Sequence, residues 1–136
     1  MKIAYGADPN QFGELRVPGG EGPHPLVVFI HGGFWRSRFD LTNADAHCEA
    51  LTGNGMATWN LEYRRIGQPG GGCPGTAADV LAGLKHVRRL FAPYRLDAGR
   101  VVVAGHSAGG HLALWAAAQN AHDALEIRGV VSLAGV

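Results

Sequence analysis

The stretch VVVAGHSAGGHLALW, residues 101–115, sets Ser107 inside Gly105-His106-Ser107-Ala108-Gly109, a G-x-S-x-G match. A serine hydroxyl is a weak nucleophile until its surroundings activate it. With 21 glycines in the chain, the pattern alone says little. Its setting says more. A buried-type strand, VVVA, precedes it and an apolar helix follows, the context in which a serine is lifted clear of a sheet end. Gly105 and Gly109 lack the Cβ atoms that would clash where strand and helix converge. The helix N-terminus brings amide N–H groups and a positive dipole end to the hydroxyl, which suits a developing oxyanion. The plainer reading is a tight turn in which Ser107 only caps the helix.

A second motif, HGGFW at residues 31–35, directly follows the apolar run PLVVFI. Cleavage of an ester or amide passes through a tetrahedral oxyanion, which needs donors already in place. Two glycines after a strand let backbone N–H groups turn toward one point. Gly33 and Phe34 are assigned as donors, with the amide of Ala108 as the third. Gly32 shapes the turn, and His31 is expected to hydrogen-bond within the loop and fix it. Trp35 and His106 are candidates to line a pocket, although His106 should point away from Ser107. Alone, HGG is a turn signal. A strand before it and the serine motif one strand-pair later give it chemical meaning.

The elements that must position these residues follow from pattern. KIAYG and FGELRVP read as two short N-terminal strands joined by the turn ADPN. PLVVFI, residues 25–30, has the unalternating apolar character of a strand buried on both faces. A helix is expected from about Ala44, with Asn43 or Thr42 as its cap and Gly53 or Gly55 ending it. MATWNLEYR is the next strand. After the loop RIGQPGGGCPG, Thr76 with Asp79 resembles a capping box for the helix AADVLAGLKHVRRLF, which Pro93 ends. RVVVAG is a strand, AGGHLALWAAAQN a helix and GVVSLAGV a last strand. The alternation predicts an α/β fold, a mostly parallel sheet of about six strands with helices on both faces, three of them main helices.

The bulk properties narrow the classes. The chain has 136 residues, 46% hydrophobic and 17% charged, which suits one globular domain. Twelve basic and 11 acidic side chains leave a formal charge of +1, so neither nucleic acid nor an anionic membrane is an expected partner. No window has membrane-span length, and MKIAYGADPNQFGEL has no apolar signal core. Cys48 and Cys73 lack metal or redox spacing and read as free thiols in a reducing cytoplasm. PGGGCPG lacks the ending of a phosphate loop, and no dinucleotide fingerprint follows a strand. The pairs Arg64-Arg65 and Arg88-Arg89 read as solvated or locally ion-paired. Trp59 and Trp115 read as core.

Taken together, HGGFWR, WNLEYRR, GQPGGGCPGT and VVVAGHSAGGHLALW resemble the N-terminal half of an α/β-hydrolase, in particular the esterase and kynurenine formamidase-like group with an HGG-aromatic-Trp motif. The resemblance implies a larger sheet with an antiparallel first strand and a serine–acid–histidine triad. It also implies hydrolysis of a small ester or amide through an acyl-enzyme, with no dissociable cofactor and no metal. The acid and histidine of the family come after later strands. Here Ser107 is followed only by the acids Asp123 and Glu126 and the histidines His111 and His122. His111, one helical turn on, is expected to pack or cap, and His122 and Asp123 to lie at the far end of the same helix. The expectation is thus a single, C-terminally truncated domain over residues 1–136, with nucleophile and oxyanion hole present, triad partners absent, and the isolated chain inactive. Its last strand would form an apolar sheet edge prone to self-association. The alternative is a non-catalytic ligand-binding or interaction module of the same fold.

Overall fold

A computed structural model describes residues 1–119 and 125–136. Six strands form one sheet: β1 (Lys2–Ala4), β2 (Phe12–Arg16), β3 (His24–Ile30), β4 (Ala57–Leu61), β5 (Leu96–His106) and β6 (Ile127–Leu133). Their order is β1-β2-β4-β3-β5-β6. The pairings β1–β2 and β2–β4 are antiparallel, and β4, β3, β5 and β6 run parallel. Among the described residues three α-helices, α1 (Asp45–Gly53), α2 (Gly75–His86) and α3 (Ala108–Gln119), alternate with the strands. This is the mostly parallel architecture that the strand-helix alternation predicts.

Side-chain alternation explains the layering. On β3, Leu26, Val28 and Ile30 face one side and join Trp59, Leu61, Val80, Leu84, Leu112 and Ala116 in the main core under α2 and α3. Val27 and Phe29 face the other side, with Ala44, Cys48 and Ala104 under α1. A strand buried on both faces needs an unbroken apolar run, and PLVVFI supplies one. Because β3 and β5 are parallel, with Ile30 opposite Gly105, the loops after both emerge at the same end of the sheet. Ligand sites of open α/β sheets form at such carboxyl ends.

Several local expectations give way to tertiary partners. Neither Thr42 nor Asn43 caps α1, whose N-cap Ala44 offers no side-chain bond; Asp40 instead caps the turn before it, its carboxylate accepting the Thr42 N–H. A single 3-10 turn, residues 41–44, precedes the helix. Gly55, at φ +86°, makes the turn that follows it. Thr76 and Asp79 form no capping box. Thr76 Oγ1 donates to the Arg64 carbonyl at 2.6 Å, and Asp79 accepts from Arg64 N, Nε and Nη2 and from Gln11 Nε2, all within 2.9 Å. Both side chains are recruited by the loop after β4. The helical run is also shorter than expected, because α2 gives way to a 3-10 turn at Val87–Arg89. Arg65 is not solvated. It is 3% exposed and donates to the carbonyls of Tyr63 and Phe39 and to Asn10 Oδ1. Trp59 is fully buried, while Trp115 is only half-buried.

Asp79 has a pH consequence. Burial alone would raise its carboxyl, but the bonds from Arg64 and Gln11 outweigh burial and the net shift is downward. A carboxylate held below its unfolded value of about 4 stabilises the fold above that value, and the contribution is lost as pH falls through the lower folded value. Asp79→Asn is therefore expected to cost about 3 kcal/mol at neutral pH, by leaving Arg64 without its charge partner. It should also remove that part of the acid-unfolding limb. Chemical denaturation at stepped pH checks both. A difference between variant and wild type that stays constant into the acid range would contradict the assignment.

Cys48 and Cys73 are free thiols, Cys48 buried and Cys73 exposed. Burial pushes the Cys48 thiol up to about 11. Among the described residues no helix is long and apolar enough to cross a membrane, and no group of three or more His, Cys, Asp or Glu could hold a metal ion.

Candidate active site

Ser107 stands between the end of β5 and the start of α3 with φ +55°. A left-handed φ is strained for any residue with a Cβ and persists only where the surroundings impose it. Here the surroundings do so from both sides. The Ser107 N–H donates to the Leu133 carbonyl of β6 at 2.8 Å, and the Ser107 carbonyl accepts the His111 N–H at 3.1 Å. The two flanking glycines allow the crossing. A Cβ on Gly105 would lie 2.1 Å from the Gly109 oxygen, and one on Gly109 would lie 2.0 Å from the Ile30 oxygen. The serine turn and the HGG loop are therefore locked together through backbone.

The loop itself is tightly wound. Gly33 (φ +117°), Phe34 (+52°) and Trp35 (+59°) are consecutive left-handed residues, and the Arg36 N–H closes the turn on the Gly33 carbonyl at 3.0 Å. Gly32 is buried against the serine. A Cβ there would meet His106 O at 2.5 Å and Ser107 Cβ at 3.1 Å. Gly32, Gly33, Phe34, His106 and Ser107 share the lining of one cavity of about 370 Å³ with Phe39 and His47. Phe34 is 61% exposed, and Ala108 is fully buried. The two motifs therefore meet at one place, the cavity that Gly32, Gly33, Phe34 and Ser107 line together.

His31 is buried, with its Nε2 2.7 Å from Glu62 Oε1 and its Nδ1 2.7 Å from the Gly32 carbonyl. Both nitrogens are engaged, so this imidazole is not free to take a proton from Ser107. Trp35 does not line the serine cavity. It packs edge-on against His111 at 5.8 Å and lines a separate apolar cavity of about 280 Å³ with Trp115, Ile66 and Cys73. The left-handed turn at Phe34 and Trp35 sends these neighbouring rings to different cavities. His106, expected to point away, does line the cavity of Ser107, where its ring stacks 6.3 Å from that of His47. His122 and Asp123 lie outside the described residues. Glu126 is exposed and pairs with Arg128 at 3.1 Å.

Three participants escape the motif reading. Glu62 and Tyr63 follow β4 directly, at the same sheet end as HGG, and the Tyr63 hydroxyl donates to the His31 carbonyl at 2.8 Å. The signal for Glu62 was a charged residue closing an otherwise buried strand. His47, on α1, stacks on Phe29 at 5.1 Å, and no local pattern marks it.

A strained serine turn on a parallel sheet, faced by a glycine-rich loop from the adjoining strand, defines an α/β-hydrolase. The sequence matches the BD-FAE family over residues 15–131, and the chain belongs to that family. A probable isoprenylcysteine alpha-carbonyl methylesterase of Arabidopsis thaliana is 29% identical over 82% of this chain and 23% of its own length. Among solved structures, a bacterial heroin esterase is 26% identical over 96% of this chain and 42% of its own, with a TM-score of 0.78. The propionate-bound Est2 esterase of Thermogutta terrifontis is 26% identical over 82% of this chain and 43% of its own, with a TM-score of 0.73. The chain thus spans less than half the length of each of these relatives.

Proposed function

We propose that this chain carries the nucleophile and oxyanion hole of a serine esterase. Ser107 attacks the carbonyl of a small carboxylic ester or formamide, and the amides of Gly33, Phe34 and Ala108 hold the resulting oxyanion. The alcohol or amine leaves as the acyl-enzyme forms, and water then cleaves the acyl-serine ester, releasing the acid and restoring the serine. The observation that carries this reading is the left-handed Ser107 at the end of β5 with Gly32 packed directly on it. The esterase names among the relatives and the propionate in the Thermogutta terrifontis structure support it. The general base and its acid come from outside residues 1–136, in a single domain of which this is the N-terminal part. The setting proposed is cytoplasmic.

The engagement of His31 with Glu62 and of His111 with Trp35 favours a second reading for the segment alone, in which the same amides bind a carboxylate without turnover. The half-exposed Val131 and Leu133 on β6 support self-association along that edge.

An organophosphonate tests the first reading. In the complete protein it is expected to leave one adduct, on the peptide carrying Ser107, and to stop hydrolysis of a short-chain aryl ester. Loss of turnover with Ser107 unmodified would overturn it. The segment alone, without a base, should exceed water by only about a thousand- to ten-thousand-fold.

A further inference from the structure

His31 faces hydrogen-bond acceptors at both ring nitrogens, the Glu62 carboxylate and the Gly32 carbonyl, each at 2.7 Å. A neutral imidazole has one N–H and can satisfy only one of them, whereas an imidazolium satisfies both. The other way to supply a proton at each contact puts one on Glu62. The surroundings of Glu62 oppose that. Its Oε2 accepts the Leu41 N–H at 3.0 Å, its Oε1 accepts the Tyr63 N–H at 3.1 Å, and Arg65 Nε lies 3.5 Å from Oε1. Both carboxylate oxygens thus already serve as acceptors for N–H donors. The other neighbours of the imidazole are the Tyr63 ring, stacked at 4.5 Å, and the exposed Asp40 carboxylate.

What this pair holds is a peptide plane. The Gly32–Gly33 bond is trans, so the Gly32 carbonyl and the Gly33 N–H point in opposite directions. By drawing the carbonyl toward its buried ring, His31 leaves the Gly33 N–H on the opposite edge of the peptide plane. Gly33 lines the cavity of Ser107. We infer that Glu62 is a positioning residue: it holds His31 as an imidazolium, and His31 fixes the Gly32–Gly33 peptide with the Gly33 N–H presented as an oxyanion donor. Without the pair, this peptide between two glycines is free to flip, and its carbonyl would face the oxyanion. The inference rests on the esterase reading above.

Two measurements test it. In the native chain at neutral pH, imidazole nitrogen NMR, assigned by comparison with His31→Asn, should show protons on both nitrogens of His31. The doubly protonated signature should disappear in Glu62→Gln. In the complete protein, Glu62→Gln should lower kcat on a short-chain aryl ester about 100- to 1,000-fold, the cost of one lost oxyanion donor, with KM within about threefold. Ser107→Ala in the same assay separates the two levels. If that variant still turns over, the esterase reading fails. If it is inactive while folded Glu62→Gln keeps wild-type kcat, the positioning role alone fails. A singly protonated His31 in the native chain also overturns the inference, whether or not the variant folds.

Discussion

Replacing Ser107 with alanine is expected to lower kcat of the complete protein on a short-chain aryl ester by about a million-fold. The size of the effect follows from how the site divides its work. The amides proposed to hold the oxyanion are backbone groups, at Gly33, Phe34 and Ala108, and alanine at 107 leaves all three in place. Residual catalysis of about a thousand- to ten-thousand-fold over water should therefore survive. The fold should tolerate the change, because Ser107 is held through its N–H to Leu133 and its carbonyl to the His111 N–H, both retained by alanine. The left-handed φ of +55° remains, at a similar cost in both proteins. Near-identical melting temperatures with a loss of this size would assign the effect to the hydroxyl. Hydrolysis within tenfold of wild type by the alanine variant would show that another group attacks the substrate.

How far such a site can be read from sequence depends on the range of its interactions. The serine turn is legible because its requirements are local: a buried strand, glycines two residues to either side, and a helix. The HGG loop is legible for the same reason. Glu62 is not, because its partner His31 lies 31 residues away and only the parallel pairing of β3 with β4 brings them together. Thr76 and Asp79 show the opposite failure. Their spacing fits a local cap, yet Arg64 and Gln11 offer stronger bonds from other elements. Arg65 reads by type as solvated or locally ion-paired; topology buries it against Phe39 and Asn10, and the local pair it forms is with Glu62, 3.5 Å away. Local rules hold here where no distant partner competes.

The second large effect concerns the joint between the two motifs. Gly109→Ala is expected to destabilise the domain by more than about 4 kcal/mol, beyond the ordinary range for single substitutions. A Cβ at 109 would lie 2.0 Å from the Ile30 oxygen, 2.5 Å from the His31 oxygen and 2.6 Å from the Ile30 carbon. These are backbone atoms at the end of the buried central strand β3, so no side chain can rotate to make room. Either α3 withdraws from the sheet or the HGG loop shifts, and the His31 oxygen is already held by the Tyr63 hydroxyl. A loss of this size is a large fraction of the about 5–15 kcal/mol that holds a typical domain folded. Gly53→Ala is the matched control. Gly53 ends α1 with nothing within 4 Å of a built Cβ and no left-handed φ, so alanine there should stabilise by about 0.4–1 kcal/mol. The same methyl group is thus expected to act with opposite sign at the two glycines. Denaturant melts of both variants provide the measurement. Equal small effects would mean that strand and helix do not approach as closely at Ser107 as the backbone distances require.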